Sequence, residues 1–291
     1  MNILQKTIRH VHVPYYALML LLESGRAWGF KPWWKFWWSR EENVPLEMDG
    51  LKFLVRGSSI KSKMTDTFAI MESLYHQLYS RRFYDDKFLI GPEDTVVDIG
   101  GYIGSFALPA ARLASKGRVI SFEPSPSNFA QFERNLALNG LTNVKVYNQG
   151  VASNDRKISL FLDNMNPASN SIYLRSDQSR RNDYVEKDAI SLQTMFEREN
   201  IGRCEFLKID CEGAEYEILM NLDRSMLDRI GKIACEYHQP AYYGVTDPRH
   251  TPDLLKRHLE QNGFAVYLQP VNPYLGMLYA ANHTGTKAGT G

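Results

Sequence analysis

The chain has 291 residues, a length that suits one large α/β domain with an appended element. Its 34 Lys and Arg residues and 33 Asp and Glu residues give a net charge of +1, which predicts no overall attraction to nucleic acid or to an anionic membrane. The three cysteines Cys204, Cys211 and Cys235 form no CxxC pair, so they predict neither a disulfide framework nor a zinc site and fit a reducing, cytoplasmic setting. The longest apolar stretch near the start, residues 15–22, is far short of the roughly 20 residues that span a bilayer, and we expect neither a secretion signal nor a transmembrane helix.

Residues 1–90 are predicted to form a helical and β extension. A strand pair is expected over residues 46–55, turning at Asp49 and Gly50, and a helix over residues 66–80. The extension begins with a basic, aromatic segment that holds every tryptophan of the chain: Trp28, Trp33, Trp34, Trp37 and Trp38. Indoles mixed with basic side chains suit a peripheral membrane contact, and they equally suit a helix packed on the domain or on a homodimer partner, or an aromatic wall for an acceptor. Packing or dimerisation is the interpretation that we favour.

From residue 95 onward, short aliphatic runs alternate with stretches of helical period, as in βαβ units. We predict strands at 95–99, 118–123, 144–148, 205–210 and 232–237, and helices at 103–115, 127–139, 214–222 and 253–262, the second of these capped by Ser127. A final antiparallel hairpin is expected from runs 264–269 and 275–280. The fold prediction is therefore α/β, with a doubly wound, mostly parallel seven-stranded sheet over residues 91–283 and a disordered tail at 284–291.

The segment from 157 to 192 interrupts this alternation. It combines an alternating run (Ile158, Leu160, Leu162) with a stretch rich in Asn and Ser. We expect a small β excursion and a mobile loop over the sheet, which makes this segment a candidate substrate lid.

A strand, an acid, a glycine loop and a helix start follow one another over residues 96–105. Gly100 and Gly104 allow a tight turn and a close approach of the backbone to a ligand. Asp98 would repel the pyrophosphate of a dinucleotide, whereas S-adenosylmethionine has no phosphate and carries an ammonium and a sulfonium. Glu123 ends the next predicted strand, where a carboxylate can accept both ribose hydroxyl protons. Together these features predict an S-adenosylmethionine site.

Three strings, residues 98–104, 121–126 and above all 207–215, resemble the FkbM-type methyltransferases, a class I, Rossmann-like branch that mostly methylates hydroxyl oxygens. The resemblance covers roughly residues 95–280 and implies that residues 149–153 border the adenine. It also implies an acceptor hydroxyl on a small molecule such as a natural product, or on a glycan or glycolipid. Tyr102 departs from the Asn that is common there, which leaves the side-chain contacts at that position open. The predicted cofactor-binding residues are Asp98, Gly100, Gly101, Tyr102, Gly104, Glu123, Pro124, Gly150, Val151, Ala152 and Asp210.

Methylation of a hydroxyl also releases a proton, so a base or a metal is expected near the methyl group. Asp210 ends the fourth strand with Glu212 close behind it, and Glu236 and His238 end the neighbouring fifth strand. We predict Asp210, Glu212 and His238 to be catalytic, with either His238 as the base or the carboxylates holding Mg²⁺ or Mn²⁺. The candidate metal ligands are Asp210, Glu212, Glu236 and His238.

Neighbouring charged residues receive structural interpretations. Lys208 is expected to pair with a buried carboxylate, and Glu215 and Glu217 are expected to form the solvated first turn of a helix. Two alternatives to hydroxyl methylation remain: N- or C-methylation on the same fold, and a Rossmann-like binding module without catalysis.

Overall fold

The computed structural model describes residues 30–74, 79, 88–163, 166–174 and 183–282. The predicted tail at 284–291 and the aromatic start before residue 30 lie outside these residues. Twelve strands are described: β1 (Asn43–Met48), β2 (Leu51–Arg56), β3 (Thr95–Ile99), β4 (Arg118–Phe122), β5 (Val144–Tyr147), β6 (Gly150–Val151), β7 (Arg156–Phe161), β8 (Tyr184–Ile190), β9 (Cys204–Ile209), β10 (Ile230–His238), β11 (Phe264–Pro270) and β12 (Leu275–Asn282). The described helices are α1 (Phe30–Trp38), α2 (Ile60–Leu74), α3 (Ala107–Leu113), α4 (Pro126–Asn139), α5 (Leu192–Arg198), α6 (Glu215–Leu219), α7 (Arg224–Leu227) and α8 (Pro252–Gln261).

The main sheet has seven strands in the order β11-β12-β10-β9-β3-β4-β5. Strands β10, β9, β3, β4 and β5 are parallel to one another, and β12 runs antiparallel to both β10 and β11. The prediction of a mostly parallel seven-stranded sheet with a final antiparallel hairpin is therefore confirmed. The chain builds outward from β3 to β5 and then returns to β9 on the other side of β3, which creates a switch point where doubly wound sheets bind ligands.

Both faces of the sheet are covered by apolar layers, as expected for buried parallel strands. Alternate residues of β3 show this, because Val96 lies in one core and Val97 in the other. The first core also takes in the N-terminal extension and helices α3 and α4, while the second contains α5, α6 and α8. The extension is thus packed onto the α3 and α4 face.

Two predicted helix starts and one predicted helix cap are wrong, each for a local reason. Helix α3 begins at residue 107 and not at 103, because Tyr102 and Gly104 adopt left-handed conformations with φ of 51° and 84°. Helix α4 begins at Pro126 after Ser125, so the predicted cap Ser127 lies inside the helix. Helix α2 begins six residues before the predicted start, where the Ser59 hydroxyl accepts the Ser62 amide at 3.0 Å.

The β excursion between β5 and α5 is confirmed as a small three-stranded sheet, in which β8 pairs parallel with β6 and antiparallel with β7. The residues that connect β7 to β8 are described in part. They include a short 3₁₀ turn, Pro167–Ser169, and Ser171, whose backbone bridges Phe161. Residues 164–165 and 175–182 of the predicted lid lie outside the described part of the chain.

The predicted strand pair near the N-terminus is confirmed as the β1–β2 hairpin, which turns at Asp49 and Gly50. The outer edge of β2 is capped by amide side chains of α4. Asn139 accepts from the Lys52 amide at 2.8 Å and donates to the Lys52 carbonyl at 2.7 Å. One turn earlier in α4, Asn135 accepts the Leu54 amide, and one turn earlier again Gln131 donates to the Leu54 carbonyl. These bonds satisfy an otherwise open strand edge and fix the hairpin on the domain.

Helix α1 buries part of the aromatic segment. Phe36 and Trp37 are 6% and 5% exposed within the first core, whereas Trp34 and Trp38 are 46% and 61% exposed and stack on each other at 3.9 Å. The buried Lys63 ammonium donates to the carbonyls of Phe36 and Trp37, which gives the last turn of α1 a cation. None of the helices that the structure describes is both long and apolar enough to cross a lipid bilayer.

Candidate active site

The glycine loop after β3 crosses the carboxyl edge of the sheet at the switch point. Gly100 and Gly104 have φ of 83° and 84°, values that L side chains rarely adopt. The place of a missing Cβ is filled by protein atoms: it would lie 1.7 Å from the Asp210 carbonyl oxygen at Gly100, and 2.8 Å from the Phe132 ring at both Gly101 and Gly104. Packing within the chain therefore requires these glycines, in addition to the tight turn predicted from the sequence.

Glu123 follows β4 directly and lies against the glycine loop. Its carboxylate accepts the Tyr102 amide and the Ser125 amide, both at 2.8 Å, while Asn128 lies 3.4 Å away. Burial raises the pKa of Glu123 to about 7, although these hydrogen bonds work in the opposite direction. The predicted ribose carboxylate is thus held rigidly beside the loop.

Asp98 is fully buried and forms an ion pair with Lys208. The parallel register explains the contact, since Asp98 on β3 lies opposite Lys208 on β9 and opposite Ser121 on β4. The Lys208 ammonium lies 3.2 Å from Asp98 and donates to the Gly100 carbonyl at 2.6 Å, and the Ser121 hydroxyl donates to Asp98 at 2.7 Å. Burial lowers the pKa of Lys208, but Asp98 and Asp210 more than offset this and hold it above its usual value. The expected pairing of Lys208 with a buried carboxylate is confirmed.

Asp210 lies at the centre of a crowded group of acids at the ends of β9 and β10. The Tyr79 hydroxyl donates to Asp210 at 2.8 Å and lies 3.5 Å from Glu236. Burial is the main cause, and the charge of the neighbouring Asp210 the next, of a raised pKa of about 8 for Glu236. Glu72 from α2 adds a further carboxyl to this group. Burial, and then the neighbouring carboxylates of Glu236 and Asp210, raise the pKa of Glu72 well above the usual value. Sequence reasoning missed Glu72 and Tyr79, since nothing local in the extension marks them as neighbours of β9 and β10.

His238 is buried among three carboxylates. Its Nδ1 lies 3.0 Å from Glu215, and its Nε2 lies 3.6 Å from Glu236 and 3.7 Å from Glu212. Burial would lower the pKa of His238, but Glu215 and Glu212 raise it well above its usual value. The three predicted catalytic residues, Asp210, Glu212 and His238, therefore do lie together around this group of acids.

Glu215 and Glu217 do lie in the first turn of α6, but the prediction that this turn is solvated is wrong. Glu215 is fully buried, accepts the amides of Cys211 and Gly213 at 3.1 Å, and contacts His238. The His238 imidazole lowers the pKa of Glu215 despite its burial. Glu217 forms an ion pair with Arg156 at 2.8 Å. Helix periodicity could not show that the chain at 212–213, with φ of 55° and 112°, folds back over the Glu215 carboxylate.

Three of the four candidate metal ligands are arranged as a group. One oxygen each of Asp210 and Glu236 and one nitrogen of His238 lie within 4.8 Å of one another. Glu212 stands beside them but lies outside this triad, and its carboxylate accepts a hydrogen bond from the Tyr243 hydroxyl. The second nitrogen of His238 is bonded to Glu215, an arrangement that is typical of metal-binding histidines.

The predicted adenine edge and the predicted lid border the same strand ends. Gly150 and Val151 form β6, and the side chains of Val151 and Ala152 are buried in the core. The Pro124 carbonyl accepts a hydrogen bond from Asn148 at 3.1 Å. In the lid segment, the Pro167 carbonyl accepts from Asn128 at 3.0 Å and the Ser171 hydroxyl donates to the Glu212 carbonyl at 2.5 Å. The segment predicted as a lid therefore contacts both the Glu123 side and the Glu212 side of the site.

The strand order and the position of this site define a class I, Rossmann-like α/β fold of the kind that methyltransferases use. A family model described as the methyltransferase FkbM domain matches residues 98–266, more than half of the chain. The chain belongs to this FkbM methyltransferase family.

Two curated proteins and one solved structure illustrate what this chain is similar to. "Methyltransferase 1" of Beauveria bassiana is 26% identical over 72% of this chain and 90% of its own length. "Methyltransferase sdnD" of Sordaria araneosa is 25% identical over 58% of this chain and 75% of its own length. Among solved structures, the methyltransferase FkbM from Methylobacillus flagellatus KT matches with 18% identity and a TM-score of 0.45, over 77% of this chain and 55% of that one. This chain thus spans just over half the length of that structural relative.

Proposed function

We propose that this methyltransferase takes its methyl group from S-adenosylmethionine and transfers it to a hydroxyl oxygen. One observation carries the proposal: the ribose carboxylate Glu123 and the acidic group around Asp210 lie at the ends of β4 and β9, the two strands that flank β3 and its glycine loop. The first suits the cofactor, and the second offers proton acceptors, which a hydroxyl acceptor needs.

The residues at the glycine loop fit the cofactor. Glu123 keeps lone pairs for ribose hydroxyls beyond the two backbone amides that it accepts. The loop contains no phosphate-binding cation, and the buried Lys208 is already paired with Asp98. Asp98 would act indirectly, by holding Lys208 and Ser121 and with them the end of β3, while backbone groups of the loop and of residues 150–152 would contact the cofactor.

The acceptor proton is assigned to the group around His238. Because Glu215 binds Nδ1, Nε2 is the nitrogen that faces Glu212 and Glu236, and it is the atom that would take the proton at a pH high enough to leave the imidazole neutral, since the surrounding carboxylates raise the pKa of His238. The three carboxylates around the ring stabilise the imidazolium that results. Alignment of the hydroxyl with the sulfonium methyl would supply much of the remaining rate.

A divalent cation is the alternative device for the same proton. Asp210, Glu236 and His238 would hold it, and two carboxylate oxygens with one imidazole suit Mn²⁺, or Mg²⁺ with fewer protein ligands. The cation would lower the pKa of a bound hydroxyl, and its charge would oppose both the burial and the repulsion between carboxylates that raise the pKa values of Glu72 and Glu236.

The acceptor belongs to the class of glycans, glycolipids and hydroxylated natural products. This part of the proposal rests on the resemblance stated for residues 207–215. A peripheral membrane contact or a homodimer would be made through the exposed, stacked indoles of Trp34 and Trp38. The alternatives of N- or C-methylation differ only in the acceptor atom.

The test uses S-adenosylmethionine with an isotopically labelled methyl group, incubated with the protein and an extract of small molecules and glycans. Mass spectrometry of the labelled product is expected to place the label on an oxygen. A label on nitrogen or carbon would replace the hydroxyl assignment with one of the alternatives. Absence of any labelled product in the presence of bound cofactor would favour a binding module. Repeating the incubation with a chelator, and then with added Mn²⁺ or Mg²⁺, separates the metal from the imidazole base.

A further inference from the structure

A buried set of polar side chains joins the N-terminal extension to the glycine loop. Asp66 of α2 is fully buried, and Arg56 at the end of β2 donates to it with Nε at 3.1 Å and with Nη2 at 2.6 Å. Tyr102 of the glycine loop donates its hydroxyl to Asp66 at 2.5 Å and also contacts the Arg56 guanidinium. The three groups therefore satisfy one another in a place where an unpaired charge would be costly.

The backbone conformation of Tyr102 makes the glycine loop depend on its contacts with Arg56 and Asp66. Its φ of 51° is uncommon for a bulky residue and costs on the order of 1–3 kcal/mol, so the surrounding contacts must hold it. In this conformation the side chain points to Arg56 and Asp66, while the amide donates to Glu123 at 2.8 Å. One residue thus links the extension to the carboxylate beside the loop.

A second path runs from Arg56 to the same carboxylate. Arg56 Nη1 donates to the side-chain oxygen of Asn128 at 2.8 Å, which leaves the amide nitrogen of Asn128 to face Glu123 at 3.4 Å. That nitrogen also donates to the carbonyl of Pro167 in the lid at 3.0 Å. Both oxygens of Glu123 are therefore oriented by groups that the extension holds in place.

We propose that Arg56 and Asp66 are positioning residues of the cofactor site, which act through Tyr102 and Asn128 to orient Glu123 toward the ribose. The proposal rests on the proposed function, because it takes Glu123 as the acceptor of the ribose hydroxyls. It makes the extension a working part of the cofactor site, in addition to any contact that it makes with an acceptor or a partner.

The test compares two ligands, S-adenosylhomocysteine and its 2′-deoxyribose analogue, by calorimetric titration. Wild-type protein is expected to bind the analogue more weakly, because one hydrogen bond to Glu123 is lost. In Tyr102→Phe, which keeps the ring, and in Arg56→Lys, which loses the forked contacts, we expect about tenfold weaker binding of S-adenosylhomocysteine and a clearly smaller loss for the analogue, which has only its 3′-hydroxyl left to contact Glu123. Arg112→Lys is the matched control, because Arg112 also ties the extension to the domain, but it does so at the exposed Asp49 turn.

Thermal unfolding of each variant accompanies the titrations, and Tyr102→Phe removes only one oxygen atom, so it keeps the test open if Arg56→Lys does not fold. A folded Tyr102→Phe protein that binds both ligands as the wild type does would overturn the proposal. Equal weakening of both ligands would also overturn it, because it would indicate general damage to the loop.

In the Glu123→Gln background, Tyr102→Phe should cause no further loss of affinity, and an additive loss counts against the path through Glu123. Failure of the wild-type protein to bind either ligand would instead refute the cofactor assignment itself.

Discussion

The buried ion pair between Lys208 and Asp98 gives the sharpest test of how the site is held together. In Lys208→Met an apolar side chain of similar length replaces the ammonium, and among the residues that the structure describes Asp98 keeps the Ser121 hydroxyl as its side-chain partner. The Lys208 side chain is 4% exposed and that of Asp98 is fully buried, so water cannot replace the lost cation without rearrangement. The change also leaves the Gly100 carbonyl without its 2.6 Å donor.

Removing one partner of a buried pair typically costs about 3–5 kcal/mol of unfolding free energy, because the other charge stays buried without compensation. For a domain of this size each kcal/mol lowers the melting temperature by about 2–4 °C, so we expect a fall of about 6–20 °C. Adding Asp98→Asn removes the orphaned charge and should recover at least half of the loss.

Urea unfolding followed by circular dichroism measures both variants. Lys157→Met serves as the control, because the Lys157–Asp188 pair has a similar contact, at 3.0 Å, but is exposed on both sides, and the unfolding midpoint of this variant should not move. A loss below about 1 kcal/mol in Lys208→Met, or no recovery in the double variant, would show that the pair does not support the edge of the sheet as argued.

Three further predictions concern the core, the cofactor carboxylate and the base. Trp37→Ala should lower the free energy of unfolding by about 3–5 kcal/mol, whereas Trp38→Ala, at an exposed indole, should leave the urea midpoint almost unchanged. The pKa of Glu123 is raised to about 7, so this carboxyl takes up a proton as the pH falls through 7. The affinity for S-adenosylmethionine should therefore be about tenfold weaker at pH 6 than at a pH where Glu123 is ionised. A Glu123→Gln protein with the same pH dependence contradicts this. His238→Ala should lower the single-turnover rate by about 10² to 10⁴ with cofactor affinity intact, and an unchanged rate would remove His238 from the reaction. If His238 is the base, Glu215→Gln should also move the rising limb of the pH–rate profile to lower pH, because the anion that raises the pKa of His238 is gone.

The fold followed from the sequence to a large extent because parallel strands have a simple signature. Buried β-branched runs such as residues 95–99 need no tertiary information, and acids at their ends lie at one edge of the sheet in any doubly wound arrangement. This is why Asp98, Glu123, Asp210 and His238 were assigned to strand ends correctly. The pairing of Lys208 with a buried carboxylate could be predicted for the same reason.

The details that failed depend on backbone conformations and long-range contacts. No local sequence pattern predicts that Tyr102 and Glu212 adopt left-handed conformations. The first of these shifts the start of α3, and the second folds the chain over the Glu215 carboxylate. Glu72 and Tyr79 reach the group of acids from an extension whose docking depends on amide side chains of α4. Such contacts join residues more than 80 positions apart, beyond the reach of periodicity and spacing.

Calorimetric titration of the wild-type protein and of Glu123→Ala with S-adenosylmethionine is the decisive measurement for the cofactor site. We expect saturable one-to-one binding to the wild-type protein. Loss of the ribose hydrogen bonds to a charged group, worth roughly 1.5–3 kcal/mol each, should weaken binding to folded Glu123→Ala by at least about tenfold. A folded wild-type protein that does not bind S-adenosylmethionine, or a folded Glu123→Ala protein that binds it equally well, would contradict the account.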